Sequence, residues 1–111
     1  MMRAAIITAV ALVPSWAMAR ECVFEASCIE TEACTSLALN AEIDIPNGTL
    51  ITDYGTALNE GYMGRAGSET MLFRDDDRTF LLTVASNEAR LTVHHDEGPR
   101  SETYLGMCEA R

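Results

Sequence analysis

The spacing of the cysteines constrains this chain more than any other feature. Cys22, Cys28 and Cys34 recur with five residues between neighbours, and Cys108 lies near the far end of the chain. Structural zinc sites usually use close pairs such as C-x2-C, and thioredoxin-type and haem sites use C-x-x-C and C-x-x-C-H. None of these spacings occurs, so an even cysteine count in a short exported chain predicts two disulfides.

Export is indicated by the first 19 residues. Arg3 supplies a positive charge, residues 4–13 form a short apolar run, and Pro14 interrupts it. Ala17-Met18-Ala19 has the small-x-small pattern of a signal peptidase site. The sequence therefore predicts a signal peptide over 1–19, a single disulfide-stabilised domain over 20–111, and a periplasmic or secreted location.

Four cysteines allow three disulfide connectivities. The preferred pairing joins Cys28 to Cys34 and Cys22 to Cys108. The first bridge would clip a local loop, and the second would tie the first strand to the last. In a chain-entropy argument the long bridge contributes roughly 4–5 kcal/mol and the short one about 2–3 kcal/mol.

Hydrophobic alternation predicts strands. From residue 37 to 45 the odd positions are Leu37, Leu39, Ala41, Ile43 and Ile45, whereas the even positions are mostly polar. Pro46-Asn47-Gly48 then predicts a hairpin turn. Further strands are predicted over residues 49–54, 70–74, 79–85, 90–95 and 101–108, with turns at 75–77, 86–88 and 96–100. The fold class is mainly β, a small antiparallel barrel or sandwich with meander connections.

One region, Gly55 to Gly67, is ambiguous because its GYMGRAG segment contains three glycines three residues apart. It is either an irregular strand with a bulge or an exposed loop. Tyr62, Met63 and Arg65 in this region are the best candidates for contact with a partner, because Tyr, Met and Arg are enriched at interfaces. The same side chains would also serve to pack the loop.

Metal and catalytic motifs are weak. His94 and His95 precede two acidic residues, but successive side chains on a strand point to opposite faces, so one histidine should be half-buried and the other solvated. Asp75-Asp76-Asp77 lacks the spacing of an EF-hand and fits a hairpin turn. There is no G-x-S-x-G motif and no free thiol if both bridges form. We therefore expect a non-enzyme, with no metal, cofactor or catalytic residue.

Net charge restricts the partners. The formal charge is −9, and the chain contains no lysine. Removal of Arg3 with the signal peptide would bring the charge to −10 (−9 − 1). Nucleic acid and anionic membrane surfaces are poor partners for such a chain, because both bind basic surfaces. A cationic or envelope protein is the partner that this charge favours.

Two resemblances follow from these motifs. The early C-x5-C-x5-C with a closing Tyr104-Leu105-Gly106-Met107-Cys108-Glu109 resembles small exported proteins of Gram-negative bacteria, which implies export but no activity. A meander with a cysteine near each end is more distantly similar to periplasmic and membrane-bound inhibitors of C-type lysozyme. That resemblance implies insertion of a loop into the cleft of a cationic enzyme. The chain differs from the family in having no lysine for the inhibitory loop.

The sequence is therefore compatible with three functions. The first is a periplasmic binding or accessory module that docks a macromolecule through its loops. The second is a lysozyme-type enzyme inhibitor, and the third is a metal-binding or enzymatic envelope protein.

Overall fold

The computed structural model describes residues 19–98 and 100–109, so all but the last residue of the predicted signal peptide lies outside the described residues. The described chain consists of eight strands joined by short turns. These are β1 (Ala19–Ile29), β2 (Thr35–Asp44), β3 (Thr49–Thr52), β4 (Gly55–Arg65), β5 (Ser68–Arg74), β6 (Arg78–Ala85), β7 (Glu88–His95) and β8 (Arg100–Cys108). Across these residues, we find no helix with the length and apolarity needed to cross a bilayer.

The eight strands form a closed antiparallel barrel. Each strand pairs with the next one along the chain, and β8 returns to pair with β1. The predicted mainly β meander is confirmed, and of the two predicted architectures the chain forms the barrel rather than the sandwich. Closure gives hydrogen-bond partners to the backbone N–H and C=O groups of the first and last strands, which would otherwise lie unpaired at open edges.

Alternation along the strands fills the interior. The predicted inward faces of β6 and β7 are confirmed, because Phe80, Leu82, Val84, Leu91 and Val93 are all buried. The rest of the apolar core comprises Cys22, Phe24, Leu39, Ala41, Ile43, Leu50, Ala57, Met71, Phe73, Ala89, Tyr104 and Cys108. The interior is therefore built by every strand, as a small barrel requires.

Some predicted boundaries are wrong. Ile45 is exposed rather than inward, because β2 ends at Asp44 and the Ile45 carbonyl accepts a hydrogen bond from Gly48 N at 3.2 Å within the turn. The strand predicted over 49–54 ends at Thr52, and Tyr54 lies in the following turn. Glu88 and Arg100, predicted in turns, are the first residues of β7 and β8.

The ambiguous region from Gly55 to Gly67 is a strand with a bulge. In the pairing of β4 with β5, Asn59 faces Phe73 and Gly61 faces Leu72, so Glu60 is an extra residue without a partner. Gly67 closes the following turn with φ of +83°, a left-handed conformation that favours glycine. The strand-with-bulge alternative is therefore confirmed.

Both disulfides have the preferred pairing. Cys22 bonds to Cys108 across neighbouring strands, and Cys28 bonds to Cys34 around the β1–β2 loop. The long bridge joins the two strands that close the barrel. Two disulfides are consistent with an oxidising, extracytoplasmic location.

Candidate functional site

One end of the barrel opens into a cavity. We call it the Tyr62 end, and it contains the start of β1, the end of β8, and the turns after β2, β4 and β6. The cavity has a volume of about 200 Å³. It is lined by Arg20, Ile43, Asp44, Ile45, Gly48, Asn59, Tyr62, Glu69, Met71 and Phe73. Its floor is apolar and its rim is polar.

The β4 bulge turns Tyr62 toward this cavity. Tyr62 pairs in register with the buried Met71, and its hydroxyl donates to Glu69 Oε1 at 3.4 Å. A Cβ added at Gly64 would lie 2.7 Å from Tyr62 Oη, so the ring occupies space that a side chain at residue 64 would need. The bulge and the glycine together hold Tyr62 over the mouth of the cavity.

Arg20 also lines the cavity and is connected to Tyr62 through Glu69. Its side chain is only 8% exposed, its Nε donates to the backbone oxygen of Glu109 at 2.8 Å, and its Nη1 lies 3.3 Å from Glu69 Oε2. A buried guanidinium needs such partners to offset its desolvation. Sequence reasoning missed Arg20 and Glu69, although Arg20 alternates with Cys22 and Phe24 and could have been assigned to the inner face.

The predicted partner-contact residues all lie at the Tyr62 end, but not on one face. Tyr62 points inward, whereas Met63 pairs with Thr70 and Arg65 with Ser68 on the outer surface of the hairpin. All three side chains are exposed. Tyr62 therefore belongs to the cavity mouth, and Met63 and Arg65 belong to the outer face of the β4–β5 hairpin.

The opposite end of the barrel, the Tyr54 end, is filled by a hydrogen-bonded cluster around Glu102. Tyr104 donates to Glu102 Oε1 at 2.6 Å, Tyr54 donates to the same oxygen at 3.3 Å, and the two phenol oxygens are also in contact. Arg100 Nη2 lies 3.4 Å and His95 Nε2 lies 3.5 Å from Glu102 Oε2. Two phenols and one guanidinium thus donate hydrogen bonds to the carboxylate, and the His95 imidazole lies close by.

Contacts within this cluster move the pKa values of Glu102, Tyr54 and Tyr104 further from neutral pH. Burial by itself raises the pKa of Glu102, but hydrogen bonds from Tyr104 and Tyr54 and the positive groups nearby hold it below its usual range. Burial and the hydrogen bond to Glu102 raise the pKa of Tyr104, and burial raises that of Tyr54. A group that exchanges protons in catalysis works best with a pKa near the operating pH. The cluster is better suited to closing the barrel.

Arg78 completes the Tyr54 end. Its guanidinium lies 4.9 Å from the centre of the Tyr54 ring and 2.9 Å from Asp75 Oδ2. Asp75 Oδ1 accepts hydrogen bonds from the backbone nitrogens of Asp77 and Arg78. These bonds and the Arg78 charge lower the pKa of Asp75 even though burial opposes the shift. The predicted turn at 75–77 is confirmed, and Asp75 organises it.

His94 and His95 behave as strand alternation predicts. His94 is exposed and pairs with Ser101, whereas His95 is half-buried and faces Glu102. The two imidazoles therefore lie on opposite faces of β7. Within the described ranges, no three His, Cys, Asp or Glu side chains are grouped in a way that would hold a metal ion.

Comparison with models of known protein families, with curated proteins and with solved structures gave no match. The two barrel ends and the surface of the β4–β5 hairpin are therefore the features that bear on function.

Proposed function

We propose that the protein is an exported, periplasmic, non-enzymatic binding protein that docks a macromolecular partner through the β4–β5 hairpin. One observation carries the proposal. Among the large hydrophobic side chains of residues 19–98 and 100–109, the three most exposed are Tyr62 at 63%, Leu58 at 60% and Met63 at 59%. All three belong to the single strand β4.

Apolar side chains that stay exposed contribute little to the stability of the fold, but their burial against a partner stabilises a complex. Single exposed apolar residues are ordinary, whereas β4 exposes Leu58 and Met63 on its outer face and Tyr62 at the adjoining cavity mouth, three apolar side chains within six positions. Burial of apolar area stabilises a complex by roughly 25 cal/mol per Å² before the costs of association. Tyr and Met are enriched at interfaces, and the flexible Met side chain adapts to irregular surfaces.

Charge indicates the kind of partner. The chain carries a formal charge of −9 and has 17 acidic residues against eight arginines. An acidic protein attracts cationic partners over distances of about a Debye length, roughly 8 Å at physiological ionic strength. The favoured partner is therefore a cationic protein of the envelope, held by the apolar hairpin and attracted by the surrounding carboxylates.

An inhibitor of a cationic enzyme such as a C-type lysozyme is the second candidate. The same two features support it, because an exposed hairpin on an acidic barrel suits entry into a cleft lined by basic groups. Unchanged lysis of a peptidoglycan suspension by lysozyme, with the protein present at micromolar concentration, would eliminate this candidate. A metal-binding or enzymatic function has no specific observation in its favour among the described residues.

The absence of lysine provides a selective test of docking. A carbodiimide joins carboxylates to amines, and only the α-amino group of this chain has an amine to offer. Apart from products made through that single α-amino group, higher-mass products formed in intact cells therefore contain an amine from a partner. We expect such a product with the unmodified chain and with Met107→Glu, and its loss with Met63→Glu.

Met107 is a matched control because it is 52% exposed and lies on β8, away from the hairpin. Formation of the product by all three chains would show that the hairpin is not the docking surface. Absence of any product, or a product of twice the chain mass only, would contradict docking of a different macromolecule.

A further inference from the structure

The cavity at the Tyr62 end has the size of a small-molecule site. Its floor is formed by Ile43, Met71 and Phe73, which are all buried and offer water no hydrogen bonds. An engineered apolar cavity of about 150 Å³ in another protein stays dry and binds benzene. A cavity of about 200 Å³ is therefore large enough for one six-membered ring with a short substituent.

The cavity is also open. The exposed Ile45 and Tyr62 lie at its mouth, and among residues 19–98 and 100–109 no strand crosses it, because the turn after β2 and the end of β4 border it. At the Tyr54 end, by contrast, Tyr54 packs against both Tyr104 and Phe80, and its ring centre lies 6.3 Å from that of Tyr104 and 6.4 Å from that of Phe80. A ligand has access to the interior from the Tyr62 end.

The charged groups on the rim select the sign of the ligand. Asp44 and Glu69 carry negative charge, and Arg20 is the one cation among the lining residues. Arg20 and Glu69 form an ion pair in which the two charges offset each other, so Asp44 supplies the net negative charge of the lining residues. The Tyr62 ring adds a π-face, which attracts cations within about 6 Å of its centre. A positively charged substituent at the mouth is favoured, and a carboxylate is repelled.

We propose that the cavity binds a small organic cation, a monocyclic aromatic ring with a short amine-bearing substituent. The ring enters the apolar floor between Ile43, Met71 and Phe73. The ammonium group stays at the rim beside Asp44 and the Tyr62 ring. This site lies on the inner side of β4, so it is separate from the outer hairpin face that carries Met63.

The test uses three probes of the same ring size but different charge: benzylamine, benzyl alcohol and benzoate. Methyl resonances of Ile43 and Met71 report on the cavity floor in solution. We expect saturable methyl shifts with benzylamine, weaker binding of benzyl alcohol, and affinity for benzoate lower than for benzylamine by about tenfold or more, which corresponds to about 1.4 kcal/mol. A higher salt concentration should reduce the difference in affinity between benzylamine and benzoate.

Two isoleucines provide matched variants. Ile45 and Ile51 are 41% and 39% exposed, but only Ile45 lines the cavity. Ile45→Trp should obstruct the mouth and abolish the benzylamine shifts, whereas Ile51→Trp should leave them unchanged. The melting temperatures of both variants show whether the barrel remains folded.

Several results would overturn the proposal: no saturable shift with any probe, equal affinity for all three probes, or equal loss of binding in both tryptophan variants. The experiment contains no macromolecular partner. Its failure therefore leaves the docking function untouched, and failure of docking leaves the cavity site untouched.

Discussion

Cys22 and Cys28 lie six residues apart on β1, yet their side chains lie on opposite sides of the barrel wall. Cys22 is buried and bonds to its cross-strand partner Cys108, whereas Cys28 pairs in register with Thr103 and bonds to the exposed Cys34. Regular alternation would place both on one face. Glu25 is an extra residue in the pairing of β1 with β8, and this bulge reverses the alternation between the two cysteines.

The bulge requires a glycine opposite it. Gly106 pairs with Phe24, and a Cβ there would overlap the Val23 carbonyl oxygen and the Phe24 Cα. Both atoms belong to the backbone and have little freedom to move. We expect Gly106→Ala to lower the free energy of unfolding by about 1–3 kcal/mol, as overpacking usually does. Urea denaturation of the oxidised protein measures this change.

Gly61→Ala is the matched control for that variant. Its added Cβ would lie 3.6 Å from Leu72 Cβ, which is ordinary van der Waals contact. We expect a change within about 0.5 kcal/mol of zero, the usual range for surface substitutions. Equal destabilisation by the two variants would show that close backbone approach at the β1 bulge is not the cause.

The two disulfides should differ in their contribution to stability. The Cys22–Cys108 bridge spans 86 residues and the Cys28–Cys34 bridge spans six. We expect Cys22→Ala/Cys108→Ala to cost about 4–5 kcal/mol and Cys28→Ser/Cys34→Ser about 2 kcal/mol, because the entropy of the unfolded chain rises with loop length. Denaturation midpoints of the two double variants show which bridge contributes more stability. A larger loss of stability on removal of the short bridge would contradict this expectation.

Glu102 should make the barrel sensitive to acid. Its pKa is lower in the folded chain than its ordinary value, so the unfolded chain takes up the proton first as pH falls. The stability that Glu102 contributes is present above its unfolded pKa and is lost as pH falls through the folded pKa. We expect Glu102→Gln to cost about 2 kcal/mol at pH 7, as loss of hydrogen bonds to a charged group does.

The difference between Glu102→Gln and the unmodified chain should shrink as pH is lowered below the ordinary glutamate range. Thermal denaturation at a series of pH values measures it. Glu60→Gln, at an exposed bulge position, serves as the control at pH 7. A stability difference for Glu102→Gln that stays constant down to pH 2 would show that its carboxylate charge is not what holds the Tyr54 end.

Tyr104 should make the barrel sensitive to base. Its pKa is raised by burial and by its hydrogen bond to Glu102, so above about pH 10 the unfolded chain loses this proton while the folded chain keeps it. The stability that Tyr104 contributes should be constant below that pH and fall above it. Tyr104→Phe should lose less stability than the unmodified chain as pH rises above about 10. Denaturation at a series of alkaline pH values measures this, and an identical decrease in the free energy of unfolding for both chains would contradict the account.

Much of the interior was predictable because β6 and β7 have unbroken alternation, so Phe80, Leu82 and Leu91 could be assigned to the core directly. Glu102 was missed, although it alternates with Tyr104 and Cys108 on β8. An acidic residue at an inward position is unexpected until its neighbours from two other segments, Tyr54 in the β3–β4 turn and His95 on β7, are known. Those neighbours come together only when the barrel closes.

The orientation of Tyr62 could not be predicted for a different reason. Glu60 is an extra residue in β4, and a single extra residue moves every later side chain to the other face. Composition identified Tyr62, Met63 and Arg65 as a group but did not separate the inward Tyr62 from the outward Met63. Whether these residues contact a partner stays a prediction.

Direct contact at the hairpin is tested best by a photoreactive amino acid. Benzoylphenylalanine is introduced at position 63 or, in a separate chain, at position 107, both exposed on the outside of the barrel. Cells that export either chain are irradiated, and adducts of the protein are resolved by mass. The account predicts a discrete adduct of higher mass from position 63 and none from position 107. Adducts from both positions, or from neither, would contradict docking through the β4–β5 hairpin.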